Sequence, residues 1–337
     1  MSFLPALTII GVVVGSLALI GVGILAVYIV QLYQNCGSNV TNLSSCRTTI
    51  PSSTPDEIPQ TPDAPDDTSE SPLYTLQTIT VDGVDRTYYM STPPKNGTKL
   101  LLWFHGTGVI TEENSLFDSI LDEYQVIQPI GLMSEANLNS WQSVPGSSCN
   151  SDADDMAFVS ALLTLYNLSE TYCGGFSVGS GFVARLSVDA SMAALIDGFM
   201  MCSSGIQEGD VSNITSNDAK PNIFISNGDI DPISPVAGGA GDAGGGECYN
   251  FSSLTEVISK WASKLCGLNS PSSTDPAGNQ IYDTSCGSNR VYGIVFKDTA
   301  HKSSSDSVTA WIQDQTGSTD GNLMTTALRI LDGTASI

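Results

Sequence analysis

The sequence predicts an α/β fold, a mostly parallel central sheet with helices on both faces, preceded by one N-terminal transmembrane helix. Three observations predict it. Short apolar runs alternate with stretches of helical spacing from about Leu76 onward, the pattern of strands buried between helices. Gly175-Phe-Ser177-Val-Gly179 fits G-x-S-x-G, the pattern of a sharp strand-to-helix turn that carries a serine. Phe3 to Leu32 contains no charged residue and exceeds the roughly 20 apolar residues that cross a bilayer.

The apolar start lacks the basic residues and short core of a cleaved leader, so residues 1–35 read as an uncleaved anchor whose residues 4–32 contact the lipid bilayer. Gly11 and Gly15 have the small-xxx-small spacing that would allow a helix–helix dimer. Residues 36–72 then change character. Pro51-Ser-Ser-Thr-Pro-Asp-Glu-Ile-Pro-Gln-Thr-Pro-Asp has almost nothing to bury and reads as a disordered stalk rich in Pro, Ser, Thr and Asp. Residues 73–337 form the globular part.

Charge and cysteine usage narrow the compartment and the partners. With 35 Asp+Glu against 12 Lys+Arg and a net charge of −23, the surface repels phosphate backbones, which argues against nucleic acid as a partner. The 8 cysteines include no C-x-x-C pair and only 2 histidines are present, so no metal site is expected. Scattered cysteines after a membrane segment read as disulfides in an oxidising compartment. N-glycosylation sequons at Asn39, Asn42, Asn96, Asn167, Asn213 and Asn250 agree. The expectation is a single-pass membrane protein whose C-terminal domain is extracellular, lumenal or virion-exposed.

Within the globular part, Leu76 to Val81, the Asp82-Gly83 turn and Arg86 to Met90 alternate like a hairpin. Lys99-Leu-Leu-Leu-Trp-Phe104 is a continuous apolar run, the mark of a strand covered on both faces, and leads into His105-Gly106-Thr107-Gly108. A helix is expected over Leu116–Tyr124, a strand over Gln125–Pro129 and a helix over Asp154–Leu165. The strand and helix around Ser177 follow, then strands near Leu195–Met201 and Asn222–Ser226. Val236 to Gly246, rich in glycine, reads as a flexible insertion, either a mobile lid or a linker.

The chemistry follows from chain order. A serine hydroxyl becomes a nucleophile only when a base takes its proton and an acid steadies that base. His105 follows a buried strand and opens a glycine-rich loop of the kind that holds an oxyanion, whereas His301 ends a late strand. The order serine, acid, histidine therefore selects His301 as base for Ser177. The acid should follow a strand between them, where Asp229 and Asp231 both stand; Asp231, before Pro232, is the better candidate, and Asp229 would instead shape the turn. The oxyanion would be held by the N–H of Val178 and one from the Gly106-Thr107 loop. No cofactor is required.

From about Val81 to Trp311 the chain resembles the α/β-hydrolase esterases and polyester depolymerases, which include poly(3-hydroxybutyrate) depolymerases and feruloyl esterases. The matching pieces include Arg86-Thr-Tyr-Tyr, Leu102-Trp-Phe-His105-Gly106, Gln128-Pro129, Trp141, Asp154-Asp155-Met-Ala-Phe158, Gly175-Phe-Ser177-Val-Gly179, Asn227-Gly228-Asp229-Ile-Asp231-Pro232, and Trp261 to Cys266 followed by Tyr282 to Cys286. The resemblance implies catalytic Ser177, Asp231 and His301, and a Cys266–Cys286 disulfide. The chain departs from the family at Asp298-Thr-Ala-His301-Lys-Ser-Ser-Ser, which lacks the Gly-rich approach to the histidine and the Trp-Pro after it. The expected function is a membrane-anchored extracytoplasmic serine esterase acting on small esters. Competing readings are a catalytically idle surface or virion glycoprotein, and a serine peptidase or acyltransferase on the same fold.

Overall fold

Alternate residues of Lys99–Phe104 enter two different cores. Leu100, Leu102 and Phe104 pack into one cluster and Leu101 and Trp103 into the other, all nearly inaccessible, because this strand lies inside a sheet covered on both faces. In this computed structural model the described residues are 73–92, 99–108, 115–134, 138–144, 153–215, 218–241, 249–302 and 322–334. The expected anchor and stalk lie outside them, as do Asn39, Asn42, Asn96, Cys36, Cys46, Cys149 and Cys248. Among the described residues, no helix is long and apolar enough to cross a membrane.

The strands are β1 (Tyr74–Val81), β2 (Val84–Ser91), β3 (Lys99–Phe104), β4 (Tyr124–Pro129), β5 (Glu170–Phe176), β6 (Gly198–Cys202), β7 (Asn222–Gly228), β8 (Gly239–Ala240), β9 (Asn250–Phe251), β10 (Ser272–Thr274), β11 (Gln280–Cys286) and β12 (Asn289–Phe296). Ten of them form one sheet in the order β1-β2-β4-β3-β5-β6-β7-β12-β11-β10. The centre from β4 to β12 is parallel, while β1-β2-β4 and β12-β11-β10 are antiparallel edges. The expected hairpin is β1–β2, turning at Asp82 (φ 50°) and Gly83 (φ 82°), two positive-φ residues that match the twist of the flanking strands.

Helices α1 (Asp155–Tyr166), α2 (Val178–Val188), α3 (Ala190–Ala193), α4 (Leu254–Cys266) and α5 (Leu323–Leu331) complete the layers. Phe158 and Leu162 of α1, Phe182 and Leu186 of α2, and Ile258 and Trp261 of α4 pack on one face of the sheet. Leu323, Ala327 and Leu328 of α5 cover the other, beside Phe117 and Ile120. Helix α1 starts where expected, with Asp154 accepting the Ala157 N–H at 2.9 Å. α4 is capped by Ser253 and ends at Gly267, whose φ of 65° suits a residue without Cβ.

Two expectations are corrected. The helical spacing of Leu116–Tyr124 yields a single 3₁₀ segment, Ser115–Ile120, because Tyr124 already belongs to β4 and only two turns' worth of chain remain before it. Cysteine pairing is not general either. Cys266 and Cys286 do form a disulfide, closing a separation of 20 residues between α4 and β11, but Cys173 and Cys202 are free thiols in the middle of the sheet. Burial pushes the Cys202 thiol up to about 12, so both are inert core residues. Within the expected insertion, Gly239–Ala240 pairs with Asn250–Phe251 as a two-stranded ribbon, and residues 242–248 lie outside the described residues.

Candidate active site

Ser177 stands between β5 and α2 with φ 56° and ψ −124°, a conformation that a non-glycine residue adopts only when its surroundings enforce it. The enforcement is visible on both sides. A Cβ on Gly175 would lie 2.5 Å from the Gly179 carbonyl carbon, and one on Gly179 would lie 2.2 Å from the Phe104 carbonyl oxygen. Both glycines of the motif are therefore required by close approach rather than by turn preference. Ser177 is also tied across the sheet, its N–H donating to the Cys202 carbonyl at 3.0 Å.

His301 brings the second element. Its Nε2 lies 2.8 Å from Ser177 Oγ and its Nδ1 lies 2.8 Å from Asp231 Oδ2. A carboxylate only accepts, so Nδ1 carries the proton and Nε2 is left to accept the serine hydroxyl. Asp231 is buried and its other oxygen accepts the Ile233 and Ser234 N–H groups at 2.9 and 3.0 Å, which fixes the carboxylate plane toward the imidazole. Asp229 faces elsewhere. Its Oδ1 accepts the Thr299 N–H at 3.1 Å, while Ile230 N–H donates to the Thr299 carbonyl at 3.2 Å, so Asp229 binds the loop that presents His301. That loop rides directly on Gly228, where a Cβ would lie 2.0 Å from the Thr299 oxygen.

The loop after β3 completes the site. His105 is buried; it accepts the Gly131 N–H on Nε2 at 3.0 Å and so donates from Nδ1 to the Gly106 carbonyl at 2.7 Å. Burial holds its imidazole below the usual histidine range, against the opposing pull of the Gly106 carbonyl, so it stays neutral and structural. Trp141 donates its indole N–H to the His105 carbonyl at 3.0 Å and stacks on Phe182 of α2. Gly106 sits so close to the elbow that a Cβ there would lie 3.4 Å from the Ser177 Cβ. Val178, as the first residue of α2, has an N–H with no partner inside the helix, and Val178 and Thr107 both line the small pocket at Ser177.

Sequence reasoning missed what supports this loop. Arg86 in β2 and Asp155 at the start of α1 form an ion pair of 2.6 Å with side chains 2 % and 0 % exposed. Asp155 also accepts the Gln142 N–H at 2.6 Å, and Arg185 of α2 donates to the Gln142 carbonyl at 2.6 Å. The segment carrying Trp141 is thereby held between two helices. A lone arginine on the inward face of an alternating strand was the available signal. The pocket walls Ser203, Ile233, Tyr249 and Phe251 offered none, since they meet only through the fold. Of the remaining expected positions, Asn167 and Asn250 are exposed and Asn213 is partly exposed. Two larger hollows, about 290 and 340 Å³, lie beside Arg86 and Met133 and beside Glu170 and Asn222; neither is lined by Ser177 or His301.

A mixed sheet with helices on both faces and a serine elbow after a central strand fits the α/β-hydrolase fold, and the site is a serine–histidine–aspartate array on three strand ends of that sheet. Neither a family model nor a curated protein matches the chain. Among solved structures, the chain is similar to a cold-adapted esterase from an Arctic intertidal metagenomic library, at 10 % identity over 77 % of this chain and 93 % of that one, TM-score 0.41. It is also similar to a predicted CIB-like hydrolase from Thermoplasma acidophilum, at 13 % identity over 68 % and 88 % of the two chains, TM-score 0.41. A third is protein Atu2452 of unknown function from Agrobacterium tumefaciens, at 17 % identity over 65 % and 91 %, TM-score 0.38. Likeness at this level defines neither a family nor an activity.

Proposed function

We propose that this protein is a membrane-anchored, extracytoplasmic serine esterase that hydrolyses carboxylic esters through an acyl-enzyme. The observation that carries the proposal is the continuous hydrogen-bonded line from Ser177 Oγ through the His301 ring to Asp231, 2.8 Å at each step. In the proposed reaction His301 Nε2 takes the Ser177 proton as Oγ attacks the ester carbonyl, and Asp231 stabilises the imidazolium that results. The N–H of Val178 and one from the Gly106-Thr107 loop would receive the oxyanion, an interaction whose loss typically costs about 10²- to 10³-fold in rate. His301 returns its proton to the departing alcohol; water then repeats the sequence and frees the acid.

The Cys266–Cys286 disulfide supports the extracytoplasmic location. The anchor in residues 1–35, the stalk in 36–72 and glycans on the sequons belong to the same proposal. Hydrolysis of p-nitrophenyl acetate and labelling of Ser177 by a fluorophosphonate test it. We expect both in the wild type, neither in Ser177→Ala, and about a 10⁴-fold loss of kcat in Asp231→Asn, which would donate to His301 and favour the wrong tautomer. Absence of both turnover and labelling in the folded wild-type protein would refute the reading.

A further inference from the structure

We infer that the pocket beside Ser177 is an acyl pocket for short unbranched chains, acetyl or propionyl, with Phe251 as its end wall; this rests on the serine-esterase reading above. The pocket that Ser177 and His301 share measures about 40 Å³ in all, and away from the reacting atoms its walls are Ser203, Ser204, Ile233, Ser234, Tyr249 and Phe251. A water-sized group needs about 10–15 Å³ by this measure, so the pocket admits on the order of three such groups. The leaving alcohol must stay within reach of His301 Nε2 and depart to solvent. The side formed by Ser203, Ser204, Ser234, Tyr249 and Phe251, all buried, is therefore left for the acyl chain.

The end wall is rigid. Phe251 belongs to β9, which pairs with Gly239 of β8, and its neighbour Ser252 donates its N–H to the Ile206 carbonyl at 3.0 Å. Its ring lies parallel to Tyr249, with centroids 5.8 Å apart and planes 3° apart. The ring edge also packs so tightly on Gly241 that a Cβ there would come within 2.8 Å of it. Ser203, opposite, has φ 57°, and its N–H is tied to the Ser226 carbonyl at 2.8 Å. Ser177 and Ser203 thus both carry strained backbone into one pocket, a pattern associated with functional sites.

Chemistry closes the end as firmly as shape does. Beyond Phe251 lies a second void of about 10 Å³ that shares Ser204, Ser234 and Phe251 with the first. Asn227 Oδ1 and Ser252 Oγ, on two residues that line this void, are buried and have no hydrogen-bond partner among the described residues. A space of this size suits one water bridging the two polar atoms. A longer acyl chain would have to displace Phe251 and then lay methylenes on unpaired polar atoms, which costs free energy without return.

The test is a chain-length profile of the full-length protein on p-nitrophenyl acetate, propionate, butyrate and hexanoate, beside a series of acetates with alcohols of increasing size. Expected is a fall in kcat/KM of about tenfold or more from propionate to hexanoate, with little dependence on the alcohol, since a methylene that does not fit costs about 10- to 200-fold. Phe251→Ala should raise the butyrate-to-acetate ratio about tenfold, and Phe251→Leu, a milder change retained should the alanine variant misfold, about threefold. A flat or rising acyl profile in an enzyme labelled at Ser177, a profile steeper for alcohol than for acyl, or an unchanged profile in the folded variants would each overturn the pocket assignment alone. No turnover on any ester and no labelling would overturn the esterase reading and this inference with it.

Discussion

Replacing Asp155 by asparagine should destabilise the protein more than any other single change of similar size, and should also slow catalysis from a distance. The carboxylate faces Arg86 at 2.6 Å with both side chains out of water. Burial pushes Asp155 above the usual carboxylate range, and Arg86 with the Gln142 N–H offsets only part of that. Removing one partner leaves the guanidinium buried without a counter-charge, which typically costs about 3–5 kcal/mol. For a domain of this size that corresponds to a fall in Tm on the order of 10 °C. Because the pair as a whole carries a net desolvation cost, the double replacement Arg86→Met/Asp155→Leu should recover more than half of the loss. Urea unfolding followed by tryptophan fluorescence measures both variants. Activity adds a second reading: Asp155 holds the Gln142 N–H, next to Trp141, which in turn holds the His105 carbonyl, so kcat of Asp155→Asn should fall while KM changes little. A loss under about 1 kcal/mol, the size of an ordinary surface change, would refute the argument that the pair is obligatory.

Gly179→Ala forces a Cβ to within 2.2 Å of the Phe104 oxygen, and should cost about 2–3 kcal/mol and abolish Ser177 labelling, whereas Gly209→Ala, with open space around it, should stay within about 0.5 kcal/mol by the same urea unfolding. Asp332 should make stability depend on acid: burial pushes its carboxyl up, but hydrogen bonds from Thr334, Tyr124 and Lys99 prevail and leave it below the usual range. Its contribution is then fully present above the unfolded value of about 3.9 and disappears as pH falls through the lower folded value. Melting Asp332→Asn and the wild type from pH 7 to pH 2 should show a gap that closes at the acid end, and a gap constant with pH would contradict the assignment.

Local pattern and chain order made legible the parallel sheet and the three residues, Ser177, Asp231 and His301, that meet at its strand ends. β3 announced itself because a strand covered on both faces must be apolar at every position. The choice between Asp229 and Asp231 was harder, since both follow β7; what separates them is the Pro232-bounded turn that aims Asp231 inward while Asp229 turns to Thr299. Leu116–Tyr124 misled because helical spacing over so short a stretch cannot tell a helix from a turn feeding a strand. Cys173 and Cys202 misled for a different reason: compartment bears on whether exposed cysteines oxidise, but not on thiols packed as small apolar groups between helices and sheet. The acyl walls were invisible because Ser203, Ile233 and Phe251 come from separate segments and share no spacing.

The seating of the histidine loop on Gly228 has a mechanical consequence. Thr299 is bonded to Asp229 and Ile230, and Asp229 N–H is bonded to Phe296, so Asp231 and His301 belong to one tied unit at the ends of β7 and β12. Ser177 is fastened separately, to Cys202 and to α2. Displacement of the loop therefore carries Asp231 and His301 together and leaves their mutual distance alone. The Nε2–Oγ contact joins this unit to Ser177, beside the ring contact of His301 with Phe176, and in the proposed reaction it is the gap the proton would cross, so a change in its length would act on the first step and not on the tautomer that Asp231 sets.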